Sequence, residues 1–426
     1  MKKVLFLAVF LLAAAVTYAG GYRVALQGQK SLAMGHTGVA VVNSSELVFF
    51  NPAGLVYLEN KLNISAGVSG VFANVAYQNE STGASATTDS PTGTPLYFYA
   101  SYKATDWLAL GVGVYTPYGS TVSYEDDWAG SHLVNNIDLK AIYIQPTLSV
   151  KLNDVISFGG GPIFVTGSVN FNRNLNRTLS TLDGERSEVT LDAKGINATG
   201  WVASTMFNPT ENLRIGASYR SKIIMKAEGG TATFENLPNS ESDLLNFPEG
   251  GTTEFDAELP LPAELTVGLS YEFCDKWLFA FDFNRTFWNV YESLDIDFAY
   301  TIEEEGDPVD SVNRRDYKNS SIYRFGLQYE ATDMFTLRAG YYFDESPVQP
   351  GRFAPETPRN DSNGYTAGLT FNVGKRFQVD ASFLYLHFKE VDASYDAYIE
   401  NGQEVPFSGK YKSNAFVPGL GVTYRM

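Results

Sequence analysis

Basic side chains within alternating stretches are the residues of this sequence best suited to binding chemistry. Arg220 and Lys222 alternate with apolar residues, and so do Arg324 and Arg338. In an extended strand, neighbouring side chains point to opposite faces, so these four would share a polar face. Guanidinium and ammonium groups form strong hydrogen bonds with carboxylates. The pattern predicts a carboxylate site, although pairing with acids such as Asp282 stays an open alternative.

Apolar residues form a second candidate site, in a predicted loop at 229–259. Leu244, Leu245 and Phe247 stand there among acids and prolines. Exposed apolar patches often bind ligands, so these three residues would form a capture groove. Packing of the loop against its neighbours is the alternative, and the sequence favours neither.

Residues for catalysis or metal binding are sparse. Cys274 is the single cysteine, which excludes a disulfide within the chain and a cysteine-based metal site. His36, His132 and His387 lie far apart, and none stands in a recognisable catalytic motif. We therefore expect no enzymatic activity, no metal and no cofactor.

The elements that must position these residues alternate with a period of two, which is typical of β-strands. Apolar residues fall on odd numbers at 277–283, 335–343 and 377–385, but on even numbers at 294–300. One extra residue in a strand reverses its facing, so we expect a bulge at 284–292 within a single long strand.

Short polar turns and long polar loops alternate along the chain and predict fourteen strands. The turns lie near 102–107, 151–154, 208–212, 273–276, 330–333 and 372–375, and the loops cover 80–94, 117–138, 173–187, 229–259, 301–319, 345–362 and 390–412. An even number of antiparallel strands, with short turns at one end and long loops at the other, is typical of a bacterial outer-membrane barrel. We therefore predict an all-β fold, a 14-stranded antiparallel transmembrane β-barrel at 61–426. Its apolar strand faces should meet lipid, and its polar faces, with the four basic residues above, should point into the lumen.

The start of the chain predicts export. Residues 1–19 have a basic start at Lys2 and Lys3, an apolar run and a small residue at Ala19, as in a cleaved secretory signal peptide. Without the two lysines, 29 basic residues face 48 acidic ones, a net charge of −19. Such an acidic chain is not expected to bind nucleic acid. The loop acids favour solubility or, alternatively, cation-bridged contact with lipopolysaccharide.

Residues 20–60 do not alternate and predict a small, partly helical block ahead of the barrel. One helix is expected at 24–33, and a second near Ser44 would end by Pro52. A barrel of fourteen strands encloses a lumen that its own side chains cannot fill. We therefore predict that this block is a plug, or hatch, inside the lumen.

Glycines in a predicted strand mark a candidate distortion of the barrel wall. Gly111 and Gly113 precede Pro117, which cannot donate a backbone hydrogen bond. We predict a kink at 111–117 that opens the wall there, with the glycines at 159–161 or the pair at 145–146 as alternative positions.

Short motifs resemble a known family. Asn51, Pro52, Ala53 and Gly54 are similar to the Asn-Pro-Ala signature of the FadL/TodX family of outer-membrane transporters for long-chain fatty acids. Further segments agree with the family in order: 113–119, 126–130, 219–221, 261–263, 338–341 and 346–348. The resemblance covers residues 22 to the end.

The resemblance implies a monomeric barrel in the bacterial outer membrane. In the family, a hydrophobic ligand is captured among the outer loops and diffuses passively to a site inside the barrel. A shift of the hatch, which would include 51–54, then releases it sideways into the membrane at a kinked strand. Uptake of aromatic or alkane hydrocarbons, which need no carboxylate donor, is the nearest alternative. A structural or adhesin barrel with a filled lumen belongs to a different class, as does an outer-membrane lipase.

Overall fold

The computed structural model describes residues 22–125, 128–175, 184–238, 247–274, 276–299, 311–396, 399–400, 403–404 and 406–426. The predicted signal peptide lies outside the described residues. Two short α-helices are present, α1 (Gln29–Leu32) and α2 (Leu47–Phe50), with 3-10 turns at Pro52–Tyr57, Glu249–Gly251 and Trp288–Val290. None of the described helices is long and apolar enough to cross a membrane.

The strands follow the predicted turns and loops along the chain. In chain order they are β1 (Leu62–Ser69), β2 (Phe72–Gln78), β3 (Ser85–Thr87), β4 (Leu96–Thr105), β5 (Leu108–Ser123), β6 (Asn136–Lys151), β7 (Ile156–Asn174), β8 (Glu188–Phe207), β9 (Leu213–Arg220), β10 (Ile223–Glu235), β11 (Thr252–Leu261), β12 (Glu264–Phe273), β13 (Trp277–Thr286), β14 (Ser293–Phe298), β15 (Ser311–Arg314), β16 (Ser320–Glu330), β17 (Phe335–Asp344), β18 (Ser362–Val373), β19 (Phe377–Phe388), β20 (Val391–Tyr395), β21 (Ile399–Glu400), β22 (Gln403–Glu404) and β23 (Phe407–Arg425).

These elements form a closed antiparallel barrel of fourteen strands, which confirms the predicted fold. Closure occurs at β1, which pairs with β4 on one side and with β23 on the other. Some barrel strands are single elements, whereas others are split by a short break, as in β9–β10, β11–β12 and β13–β14. The end with the short turns corresponds to the periplasmic end of such barrels, and the long loops lie at the outer end.

The wall near the short turns is apolar outside and polar inside. On β6, Ile144 and Leu148 are 42% and 46% exposed on the outer face. Gln145, Thr147 and Ser149 alternate with them and are buried toward the lumen. This is the facing that a strand surrounded by lipid requires.

The chemistry of the two faces inverts toward the outer end. Higher on the same strand, Ile137, Leu139 and Tyr143 are buried inside, while Asp138 and Lys140 form an exposed ion pair of 2.6 Å outside. The side chains still alternate, so the inversion comes from the sequence and not from a change of register. The barrel therefore has a polar lumen near the periplasm and an apolar lumen above it.

This inversion corrects the interpretation of 284–292. The chain does break there, at the 3-10 turn Trp288–Val290 between β13 and β14. Even-numbered residues nevertheless point inward on both sides of the break. Leu278 and Asn284 do so on β13, and Ile296 does so on β14. The apolar residues change parity because the upper lumen is apolar, so the predicted reversal by a bulge is wrong.

Residues 22–60 lie inside the barrel and pack against its inner wall. Helix α1 contacts β18 and β19, while the 3-10 turn Pro52–Tyr57 contacts β6 and β7. Wall glycines permit this close fit. A Cβ atom on Gly340 would stand 2.0 Å from the backbone nitrogen of Gly35, and one on Gly159 would stand 2.4 Å from that of Ala53. These are distances that no side chain tolerates, so the hatch requires glycine at both positions.

Candidate ligand path inside the barrel

The Asn-Pro-Ala segment anchors the hatch near the periplasmic end. The Asn51 side chain is fully buried, donates to the carbonyl oxygens of Val39 (2.6 Å) and Thr205 (3.0 Å), and accepts from the nitrogen of Ala53 (3.1 Å). The carbonyl oxygen of Ala53 accepts from Ser157 at 2.7 Å. Asparagine therefore serves as a helix cap and as a clamp between hatch and wall, which explains the motif physically.

A second anchor joins the hatch to a buried acid of the wall. Asp282 on β13 is fully buried, and one of its carboxylate oxygens accepts from the backbone nitrogens of Gly38 (2.8 Å) and Val39 (3.1 Å). The sequence leaves open that Asp282 pairs with basic residues. Its hydrogen bonds instead go to the hatch.

An apolar cavity of about 100 Å³, the upper chamber, lies above the hatch. Its walls come from the outer halves of β6, β7, β8, β10, β11 and β14. The apolar side chains that line it are Leu133, Ile137, Leu139, Val169, Phe171, Leu191, Ile196, Met225, Ala227, Phe255, Ala257, Leu259, Leu294 and Ile296. Such a cavity suits a hydrophobic molecule or part of one.

The buried cation at the edge of the upper chamber is already paired. The Arg315 guanidinium donates to the Glu356 carboxylate and to the Tyr395 hydroxyl (2.8 Å). Burial alone would lower the pKa of Arg315, but the Glu356 carboxylate and nearby tyrosines outweigh it, and the pKa lies well above the usual range. The guanidinium therefore stays charged, and its ion pair with Glu356 balances that charge at this edge of the chamber.

The first described residues of the hatch separate the upper chamber from a smaller polar space. Tyr22 lines the chamber, packs edge-on against Trp288 (5.0 Å between ring centroids), and donates to the carbonyl oxygen of Pro260. The next residue, Arg23, lines the polar space and forms an ion pair of 3.0 Å with Glu264. Passage downward from the chamber therefore requires Tyr22 and Arg23 to move.

The polar space below, the lower cavity, has a volume of about 30 Å³ and brings together two of the predicted carboxylate-binding residues. Arg220 and Arg324 both line it and are buried. Arg220 donates to the carbonyl oxygen of Phe49 (3.1 Å) and covers the Phe49 ring. Among the described residues, none forms a hydrogen bond or a close ion pair with Arg324.

The other two predicted basic residues lie elsewhere. Arg338 is buried in a wall network, where it donates to Gln328 (2.8 Å) and to Thr370. Lys222 is exposed, because the facing reverses at the break between β9 and β10 and places Ile223 and Met225 inside. The prediction that Lys222 points into the lumen is therefore wrong.

The predicted capture loop is described only in part. Leu244 and Leu245 lie outside the described residues. Phe247 is buried and contacts Phe234, with 5.7 Å between ring centroids, as the packing alternative expects. A role of this loop in capture stays a prediction.

The wall at 111–117 is hydrogen-bonded on both sides along most of its length. Gly111 and Gly113 pair with β4 and with β6 without interruption, and a bulge lies between Tyr115 and Tyr118. The hatch contacts this bulge, because the backbone nitrogen of Val24 donates to the carbonyl oxygen of Pro117 at 2.8 Å. An opening of the wall here stays a prediction that requires these ladders to separate.

The upper chamber was not predicted from the sequence. Its signal was present: in the strands that form it, apolar residues in the periplasmic half alternate with polar ones, and in the outer half the apolar residues move to the opposite phase. The expectation that every apolar set faces lipid is therefore wrong for the outer half of these strands. Only the height along the barrel shows which side an apolar residue faces.

A hydrophobic chamber inside a plugged transmembrane barrel defines an outer-membrane channel for hydrophobic compounds. Over residues 10–426 the chain matches the family described as outer membrane protein transport protein (OMPP1/FadL/TodX), and it belongs to that family. The family and the fold are those of transport channels, and the protein is an outer-membrane protein.

Two relatives illustrate the range of the family. An outer membrane protein of Neisseria meningitidis serogroup B is 26% identical over 472 residues, covering 100% of this chain and 98% of that protein. The long-chain fatty acid transport protein of Escherichia coli is 22% identical over 418 residues, covering 90% of this chain and 89% of the relative.

Two solved structures share the fold. A FadL homologue of Pseudomonas aeruginosa superposes with a TM-score of 0.82 at 18% identity, over 95% of this chain and 99% of that chain. The toluene transporter TodX of Pseudomonas putida superposes with a TM-score of 0.70 at 17% identity, over 93% and 97%.

Proposed function

We propose that this protein takes up long-chain fatty acids or similar hydrophobic molecules by passive diffusion that the hatch gates. A ligand would enter the upper chamber, displace Tyr22 and Arg23, and leave sideways into the membrane. The protein would act as a monomer, because the barrel closes on itself and encloses the whole path. The upper chamber and the fatty acid transport protein among the relatives support this proposal.

The environment of Arg324 is the main support for a fatty acid as the substrate. Its guanidinium is buried beside the lower cavity, and no described residue forms a hydrogen bond or close ion pair with it. A buried charge without a hydrogen-bond partner is costly, so an arriving carboxylate would gain a strong interaction. Arg220, on the same cavity, supplies a second guanidinium.

Uptake of small neutral hydrocarbons is the second candidate, and two observations favour it. The upper chamber, at about 100 Å³, is close in size to cavities that hold a benzene ring. Its edge cation, Arg315, is neutralised by Glu356, so nothing at this point selects an acid. A toluene transporter among the similar structures is in line with this candidate.

Substitution of Arg324 by glutamine separates the two candidates. We expect Arg324→Gln to lower oleate uptake roughly tenfold or more, the size of a lost charge-assisted hydrogen bond, and to leave toluene uptake unchanged. Uptake of each radiolabelled compound would be measured in cells that lack their own transporter. Arg214→Gln is the matched control, since Arg214 lies on β9 but is already paired with Glu272 at 2.5 Å.

The outcomes assign the substrate class directly. Equal oleate uptake by the wild type and Arg324→Gln would contradict carboxylate binding in the lower cavity. Toluene uptake without any oleate uptake would favour the hydrocarbon channel.

A further inference from the structure

The barrel wall has a long interval without backbone pairing between the described strands β8 and β10. β8 pairs with β9 between Val202 and Phe207, and with β10 between Glu188 and Asp192. Between these two ladders, residues 193–200 of β8 and residues 222–230 of β10 are not paired with each other. On their other sides the two strands stay paired with β7 and β11, apart from one bulge in each.

Local backbone geometry produces this separation. Gly195 on β8 and Gly229 on β10 have φ angles of 67° and 64°, in the left-handed region that favours glycine. Each glycine accompanies a register shift against the neighbouring strand, β7 or β11. Bulges of this kind bend a strand. Two bulges that face each other across the interval therefore bend both edges away from it, and a cleft of about 900 Å³ lies between them.

The cleft lies above the lipid-facing band of the barrel. Trp201 and Tyr219 contact each other at the lower end of the interval, with 5.3 Å between ring centroids, as interfacial aromatic residues do. Above them the outward residues are polar, for example Asn197 and Lys226. Unpaired backbone groups are not tolerated in hydrocarbon. The cleft therefore opens into the polar layer directly above the hydrocarbon of the outer leaflet.

The cleft leads to the upper chamber. Ile196 and Ala227 line both spaces. Around the outer rim stand two ion pairs, Lys194 with Asp192 (2.8 Å) and Lys226 with Glu258. A polar rim of mixed charge therefore adjoins an apolar interior, with two side chains between them.

We infer that the cleft is a side entrance through which a single-chain amphiphile passes from the outer leaflet into the upper chamber. This inference rests on the proposed function and adds a route to it. The headgroup of such a molecule would stay at the charged rim while its chain crosses between Ile196 and Ala227. The cleft is an entrance because it opens above Tyr22 and Arg23, on the external side of the residues that close the path downward.

Blocking the cleft after the protein has folded tests the inference. The background is Cys274→Ser, which removes the exposed native thiol. Asn197→Cys places a new thiol at the cleft, where a bulky maleimide-polyethylene glycol would be attached. Lys140→Cys, carrying the same polymer, is the matched control, because Lys140 is exposed on the outer face of the continuous strand β6.

The measurement is the rate at which a lipid-borne probe reaches the chamber. The protein would be placed in lipid nanodiscs that contain a hexadecanoic acid with a photoreactive diazirine at the chain end. Mass spectrometry after brief illumination would quantify labelling of chamber residues such as Met225. We expect the polymer at Asn197→Cys to slow labelling severalfold, while the polymer at Lys140→Cys leaves the rate unchanged.

Three outcomes would contradict the side entrance, and they show whether the proposed function fails with it. Chamber labelling at the unmodified rate in polymer-blocked Asn197→Cys would overturn the side entrance and leave the proposed function standing. Equal slowing in both variants would also overturn it, because the effect would then be general crowding. Absence of chamber labelling in the unmodified protein would contradict both the side entrance and the proposed ligand path.

Discussion

Single hydrogen bonds decide how firmly the hatch is held. Asp282 accepts from two successive backbone nitrogens of the hatch, and Asn51 links the hatch to itself and to β8. Both side chains are fully buried, where an unpaired polar group is expensive. These two side chains are part of a larger set of polar contacts between hatch and wall, and the loss of either would weaken the hatch locally.

Removal of the Asp282 carboxylate should loosen the hatch locally. Asp282→Ala leaves the nitrogens of Gly38 and Val39 without their acceptor, at a cost of about 1–3 kcal/mol. We expect faster amide hydrogen exchange in residues 34–42, measured by mass spectrometry. Asp138→Ala, which changes an exposed acid on the outer face of β6, is the control. Unchanged exchange in the hatch of Asp282→Ala would contradict the anchoring role.

Residue roles were only partly predictable from the sequence. Alternation correctly placed Arg220 and Arg324 inside, because each lies in a regular part of its strand. It failed for Lys222, which follows Ser221 at the break between β9 and β10. The roles of Asp282 and Gly340 could not be foreseen, since both depend on which hatch residue lies opposite.

At the scale of the structural elements, the closed state of the hatch depends on pH through the side chain of His36. This buried imidazole accepts a hydrogen bond from the nitrogen of Gln27 at 3.3 Å, which requires an unprotonated ring nitrogen. Burial, reinforced by Arg324 and Arg23, lowers the pKa of His36 well below its usual value. The neutral ring is therefore part of the closed hatch.

Acidification should weaken the closed hatch. Because the pKa of His36 is lowered in the folded state, its contribution to stability is present above the unfolded pKa, about 6.5, and is lost as the pH falls below it. We expect protease cleavage within the hatch to increase between pH 7 and about pH 5. His36→Asn, which suits the φ of 59° at this position, should flatten that dependence. An identical pH profile in both proteins would refute the role of His36.

The elements themselves were the most predictable part of the fold. Turn residues and alternation gave fourteen strands because both signals are local. The breaks and bulges near Gly195 and Gly229 escaped prediction, since an isolated glycine in a strand has several structural uses. The direction of the apolar face also escaped, because it changes with height and not with local pattern.

At the scale of the whole molecule, one barrel combines opposite environments. Near the periplasm it is apolar outside and polar inside, where the hatch is hydrogen-bonded to the wall. Toward the outer end it is polar outside and apolar inside, where the chamber lies. This arrangement gives a hydrophobic molecule a favourable location inside the protein above the membrane surface.

The central claim is that hydrophobic molecules occupy the upper chamber. Ala257 lines the chamber and pairs with Ala227, so Ala257→Trp would fill the space while the outer wall stays unchanged. The most direct measurement is mass spectrometry of small molecules that co-purify with each protein from outer membranes, with heat-modifiable migration as the check on barrel folding. We predict hydrophobic molecules bound to the wild type and severalfold fewer bound to Ala257→Trp. Equal amounts on the two folded proteins, or none on the wild type, would contradict the account.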